Sequence, residues 1–259
     1  MTDLLQVILL GIIEGITEFL PISSTGHLLI AEQWLGHRSE LFNVAIQAGA
    51  ILAVVFIYWR RLWEMCIHCT QPTNRDYLLR LAVAFVITVV GGLTAKSLGL
   101  ELPESIAPVA WALIIGGVVI LWIERRDYPV NDEPLTWKAA IWAGLAQVLA
   151  AIFPGTSRSA ATIFAAMLAG QSRVAAADFS FLIGIPTMFA ATAYAALKQY
   201  KNGGFAGEDW NDLGIAFVVS TITAFVVVKW LLRYIQTHRF TVFAWYRIAL
   251  GAGLLLFIH

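Results

Sequence analysis

Glu14–His27 reads EGITEFLPISSTGH: two carboxylates four residues apart, a proline, three consecutive hydroxyls, a glycine and a histidine. The residues on either side are apolar enough to lie inside a membrane. An ionisable group at the centre of a bilayer costs about 2.5–3.5 kcal/mol on insertion scales, so carboxylates at such a depth are functional by default. A second polar interruption, Pro154–Thr162 (PGTSRSAAT), is its natural partner. The rest of the chain reads as the scaffold that brings the two together.

Of the 259 residues, 59% are apolar and 13% are charged. A soluble domain carries about 25% charged residues, so the composition is that of an integral membrane protein. Residues 1–259 are expected to form a single polytopic domain. A net charge of zero gives no electrostatic footprint for nucleic acid. Glu14 and Glu18 interrupt the first apolar run, and no basic residue precedes it, so it does not read as a cleaved signal peptide. Cys66 and Cys69 form a CIHC stretch that lacks further zinc ligands and has the wrong order for haem attachment; they read as incidental thiols.

Residues 4–20 are apolar up to Pro21, and 26–35 resume for about ten residues. Neither piece reaches the roughly 20 residues that span a bilayer. Together they predict a hairpin of two half-helices that enters the membrane and returns, a backbone tolerated at that depth where protein or water covers it. Further runs lie near 43–59, 78–95 and 106–123, then a second interrupted pair near 137–153 and 160–170, then runs near 179–198, 213–232 and 241–258. The expected fold is all-α: six transmembrane helices plus two re-entrant helix-loop-helix hairpins, ten helical pieces in all.

With the 60–76 loop cytoplasmic, one face collects Arg60, Arg61, Arg75, Arg80, Arg125, Arg126, Lys138, Arg173, Lys229, Arg233 and Arg239, and the other Arg38, Lys96, Lys198 and Lys201. That bias orients the chain by the positive-inside rule and opens the first hairpin to the outer face. Full crossings by both interrupted regions satisfy the same rule. Laying Pro21 on Pro154 puts Gly11 on Gly144, Glu14 on Gln147 and Ser24 on Ser157; beyond a small insertion Phe42 falls on Phe179 and Ile46 on Ile183. The matches predict an inverted-topology repeat with halves near 1–95 and 137–232, a design in which broken helices build a site near the midplane.

Glu14 and Glu18 share one helix face with Gly11. Two carboxylates that close in low dielectric need a proton or a cation between them, and oxygen donors suit Mg²⁺ or Ca²⁺. Ser23, Ser24 and Thr25 are placed to cap the second half-helix, whose free N–H groups favour an anion. Arg158 adds a planar fork for phosphate oxygens, flanked by Ser157 and Ser159, with Thr162 one turn on. His27, one turn past Ser24, is expected to act as its acid or base. Donors for an anion beside carboxylates for a metal point to a metal-bridged pyrophosphate, and the membrane depth makes the remainder of that substrate a lipid.

These two stretches resemble the signature regions of bacterial undecaprenyl-pyrophosphate phosphatases of the bacitracin-resistance type. Glu14, Glu18, Ser23, Ser24, Thr25, Gly26 and His27 match the first, and Pro154, Gly155, Ser157, Arg158, Ser159 and Thr162 the second; Gln47, Phe179–Phe181 and Arg247 extend the likeness along the chain. The resemblance implies the six-span, two-hairpin fold. It also implies removal of one phosphate from the C55 lipid pyrophosphate, recycling of the carrier for peptidoglycan and other wall polymers, bacitracin resistance, a divalent cation, and a site open to the outer face of the bacterial inner membrane.

Glu14 and Glu18 are then expected to hold the metal, with Gln47 assisting. Gly155, Ser157, Arg158, Ser159 and Thr162, with Ser23 and Thr25, bind the phosphates. Ser24 attacks phosphorus with His27 handling its proton, or water attacks directly. The partners expected are the polyprenyl pyrophosphate and membrane lipids, with a homodimer left open. A lipid-phosphate transporter on the same repeat is the alternative.

Overall fold

The computed structural model describes residues 3–100, 102–103, 105–129, 134–202, 204–205 and 208–257. Among them the chain forms helices and no strand: α1 (Asp3–Thr17), α2 (Ser24–Leu35), α3 (Glu40–Ile57), α4 (Trp59–Ile67), α5 (Pro72–Ser97), α6 (Ile106–Ile123), α7 (Trp137–Ile152), α8 (Arg158–Leu168), α9 (Arg173–Lys201), α10 (Trp210–Thr237) and α11 (Thr241–Phe257). Helices α3, α5, α6, α9 and α10 are long and apolar enough to cross a membrane. With 17 residues, α11 sits at the short end of the roughly 17–25 that suffice. The tail of the expected final run, residue 258, lies outside the described residues.

The outer surface is apolar. Val86, Val90, Leu93, Ile115, Val118, Ile222 and Val226 are all more than half exposed, on α5, α6 and α10. A protein in water does not carry such a belt; a multi-pass membrane protein does. Trp34, Trp59, Trp63, Trp111, Trp122, Trp137 and Trp210 are exposed on the same surface.

One element departs from the sequence expectation. The region after α3, read as a basic loop, contains α4. Trp59, Trp63 and Ile67 recur every four residues on its exposed side, and Met65 is buried on the other. A nine-residue amphipathic helix is too short to register as a span, so its arginines dominate the reading. Cys66 and Cys69 are free and exposed.

Ion pairs gather the basic connections at one end of the bundle. Arg173 grips Glu124 with both arms (3.1 and 2.5 Å), Arg239 donates to the Glu124 carbonyl, and Arg61 reaches Asp178. Arg38–Asp212 and Lys198–Glu40 close the other end.

Both interrupted regions are broken helix pairs. α1 ends at Thr17 and α2 begins at Ser24; α7 ends at Ile152 and α8 begins at Arg158. Pro21 cannot donate a main-chain hydrogen bond, which ends the first run. The same construction appears twice. α1 packs on α10, and α7 packs on α5. A Cβ on Gly11 would stand 2.8 Å from the Ala216 carbonyl, and one on Gly144 would stand 2.9 Å from that of Ala84. Those two glycines are the pair that the sequence alignment matches.

Inside the breaks the register differs by one residue from that alignment. Ser23 caps α2 at φ 75° and Ser157 caps α8 at φ 71°, and each hydroxyl accepts a 3.3 Å bond from the N–H three residues on. Ser157 therefore answers Ser23 rather than Ser24, and Ser24 stands opposite Arg158 as the first residue of its half-helix. The added residue lies in Pro154-Gly155-Thr156, where Gly155 adopts φ 91° with no room for a Cβ against Val109.

Candidate active site

The two breaks meet at a cavity of about 240 Å³. Glu18, Ser23, Ser24 and Thr25 line it from the first, Gly155, Ser157 and Arg158 from the second, and Gln47 from α3. Its centre is a three-residue relay. Ser24 Oγ donates a 2.6 Å hydrogen bond to Glu18 Oε2, and Arg158 Nη2 donates a 2.9 Å bond to Glu18 Oε1. One carboxylate thus holds a hydroxyl from its own hairpin and a guanidinium from the other. The Glu18 side chain is 7% exposed and that of Arg158 18%, so the pair faces the cavity while being shielded from bulk solvent. Arg158 also donates to the Ser180 carbonyl at 3.3 Å, and its buried Nε has no partner among the described residues.

Four of the expected site residues do not line the cavity. Glu14 lies behind Glu18, fully buried, with no hydrogen-bond donor to either carboxylate oxygen among the described residues. Ser159 and Thr162, expected to grip phosphate, are buried beneath it. The Ser159 hydroxyl donates to the Leu20 carbonyl at 3.2 Å, tying the second hairpin to the first, and Thr162 bonds the Arg158 carbonyl and the Ser180 hydroxyl. These hydroxyls hold the breaks in shape.

His27 also stands apart from the cavity lining. One turn along from Ser24 it shares the expected stretch, but its ring turns toward α11. Nδ1 stands 2.7 Å from the Ser23 carbonyl, which can only accept, so Nδ1 carries the proton. Nε2 then accepts from the Tyr246 hydroxyl at 2.7 Å, and the two rings are nearly parallel. Both nitrogens are engaged away from Ser24, whose hydroxyl bonds Glu18 instead.

Sequence reasoning missed the far wall, formed by Thr88, Gln147, Thr187 and Met188. Gln147 had one signal: it aligns with Glu14. The Thr88 hydroxyl donates to the Ala84 carbonyl at 2.8 Å, so it must accept from Gln147 Nε2 at 2.9 Å. That fixes the amide and leaves Oε1 as a buried acceptor without a partner among the described residues. Thr88 lies inside a continuous apolar run, and nothing local distinguishes it.

A cavity that unites an activated hydroxyl, a carboxylate and a guanidinium at two helix starts is suited to a phosphorylated ligand. Residues 7–253 match the family described as bacitracin resistance protein BacA. The chain belongs to this family. It is 60% identical over 257 residues to a protein of Rhizobium johnstonii named undecaprenyl-diphosphatase, an alignment covering 98% of this chain and 96% of that one. A protein of the same name from Xanthomonas oryzae pv. oryzae is 61% identical over 261 residues, covering 100% of this chain and 98% of its own. The BacA match therefore contains both breaks and every cavity residue named above.

Proposed function

We propose that the chain is an undecaprenyl-diphosphate phosphatase, releasing inorganic phosphate from the C55 lipid pyrophosphate and returning undecaprenyl phosphate to wall synthesis. Removing the lipid-bound target of bacitracin accounts for the resistance that names the family. The observation that carries the reading is the Ser24–Glu18–Arg158 relay across the two breaks.

Ser24 Oγ attacks the terminal phosphorus while Glu18 Oε2, already 2.6 Å away, takes its proton. Arg158 turns from Glu18 to the phosphoryl oxygens, where its fixed charge opposes the negative charge that develops in the transition state. The free N–H groups at the starts of α2 and α8 add donors. The phosphorus–oxygen bond to the leaving lipid phosphate breaks as the serine bond forms, and water then cleaves the phosphoserine. Gln147, on the far wall, adds a second buried acceptor, Oε1, to the Glu18 carboxylate, a fit for that water or for a protonated phosphate oxygen.

A divalent cation fits the donor set. Glu14 offers two buried oxygens beside Glu18 that no N–H or hydroxyl donor among the described residues reaches. No cluster of three or more carboxylate, histidine or cysteine ligands forms among the described residues. Mg²⁺ is commonly bound by one or two carboxylates plus substrate phosphates. Glu14 and Glu18 would hold it; bound there, it would neutralise pyrophosphate oxygens.

The protein is further proposed to lie in the bacterial inner membrane with α1–α2 and α7–α8 as re-entrant hairpins. Neither α2, with 12 residues, nor α8, with 11, is long enough to cross. The basic end of the bundle then faces the cytoplasm, and the first hairpin opens to the outer face.

Phosphate release from undecaprenyl diphosphate by purified protein in detergent tests the reading. Turnover by wild type, lost in Ser24→Ala, is expected. With no bilayer to cross, release also separates hydrolysis from transport. Full activity of Ser24→Ala would exclude serine attack, and a folded wild type that releases nothing would exclude the phosphatase.

A further inference from the structure

Arg247 is the largest fully buried side chain among the described residues, and the relay makes no use of it. It stands on α11, and no carboxylate pairs with it among the described residues. Its partners are all main-chain carbonyls. Nη1 donates to Pro21 at 3.2 Å and to Thr156 at 3.0 Å. Nη2 donates to Ala112 at 3.0 Å and to Gly155 at 3.1 Å, and Nε donates to Leu113 at 3.4 Å. A guanidinium has five N–H donors, and five acceptors are supplied.

The identity of those acceptors is informative. Pro21 is in the first break, Gly155 and Thr156 are in the second, and Ala112 and Leu113 lie on α6 between them. Breaking a helix strips carbonyls of their partners, and in an apolar interior each must be paired again. One fork pairs carbonyls from both breaks at once. We propose that Arg247 is a positioning residue that fixes the two breaks relative to each other, and so sets Ser24 and Glu18 against Arg158. The proposal rests on the phosphatase reading of that relay for its functional consequence.

The sequence distances are short. Pro21 is three residues before Ser24, and Thr156 is two before Arg158. A shift at either carbonyl is therefore passed to the reacting groups. Lysine cannot replace the fork, because three donors on one nitrogen do not reach five spread acceptors. α6 leaves room for the group: a Cβ on Gly116 would stand 2.2 Å from Nη2 and 2.8 Å from Cζ. Gly116→Ala keeps the arginine and displaces it. Gly253, on α11 with open space around it, is the control position.

The experiment measures phosphate release from a polyprenyl diphosphate, per folded molecule, for wild type, Arg247→Lys, Gly116→Ala and Gly253→Ala. Since misplacement by about 1 Å can cost 10²-fold, kcat is expected to fall about 30-fold or more in Arg247→Lys and about tenfold in Gly116→Ala, with KM within about threefold. Gly253→Ala should match wild type. A structural role alone would lower the unfolding temperature and leave kcat per folded molecule unchanged, which would overturn the proposal. A loss confined to KM would overturn it too, because the charge would then act on substrate binding. If Arg247→Lys does not fold, Gly116→Ala decides.

Amide hydrogen exchange reads the same inference without activity. Gly116→Ala should speed exchange in residues 18–26 and 153–160 together, and exchange unchanged in either break would overturn the proposal. A wild type that releases no phosphate would refute the phosphatase reading, while the exchange result would still judge the clamp.

Discussion

The break between α1 and α2 and the break between α7 and α8 are built alike and carry different chemistry. Each ends on a serine at positive φ whose hydroxyl caps the half-helix that follows. Each lead-in helix packs through a glycine on the carbonyl of a long helix. The first break then presents a carboxylate and the Ser24 hydroxyl bonded to it, and the second presents a guanidinium. Glu14 is answered by the uncharged Gln147 and Glu18 by Ala151, so the acid side is not repeated. The part that recurs is the backbone cradle, and the difference in side chains puts a carboxylate on one wall and a guanidinium on the other.

Removing that difference has the largest expected effect. Glu18→Gln takes away the acceptor of the Ser24 proton, and general-base loss costs about 10²–10⁴ in kcat. Arg158→Ala removes the charge on the opposing wall and should cost about 10²–10³, with Arg158→Lys recovering a minor part because one ammonium cannot replace the fork. Phosphate-release kinetics measure both. Chelation by EDTA comes next: activity should fall about tenfold or more and return with Mg²⁺ or Ca²⁺, and unchanged turnover would remove the cation from Glu14 and Glu18.

A smaller change sharpens the contrast from the scaffold side. A Cβ on Gly184 would lie 2.6 Å from Arg158 Nη1. Gly184→Ala should push the guanidinium off Glu18 and lower kcat about fivefold to tenfold with the fold intact. The smallest effect is on stability. Ser23→Ala loses a cap worth about 0.5–2 kcal/mol and keeps a backbone strained for any residue with a Cβ. Ser23→Gly loses the cap and relieves the strain. Thermal unfolding in detergent should therefore rank wild type and Ser23→Gly close together and Ser23→Ala below both.

The spans and the two breaks were legible because hydropathy and proline act locally. Pro21 and Pro154 punctuate apolar runs too short to cross, and the structure ends its helices within a few residues of them. The Gly11–Gly144 match was legible because close packing tolerates no side chain there. Four things were not. The partner of Ser24 is Glu18, on the other side of a turn whose path the sequence does not specify. The His27 ring is set by Tyr246, 219 residues away. Ser159 and Thr162 look like ligands by type, but the Ser159 hydroxyl is taken up by Leu20 of the opposite hairpin and that of Thr162 by its own helix and Ser180 of α9. Arg247 lies within the last apolar run, where the sequence leaves open a carboxylate or a lipid head group as its partner. Its partners are main-chain carbonyls, a role that becomes visible once both breaks are folded around it.

The most direct test of a single site shared by the two breaks is a double-mutant cycle on phosphate release, using Glu18→Gln, Arg158→Lys and the combined variant. Residues that act as one unit are strongly non-additive. The double variant is expected to be about as slow as the worse single variant. Losses that multiply across the cycle would contradict the account, because they would mean that the two breaks act on the substrate independently.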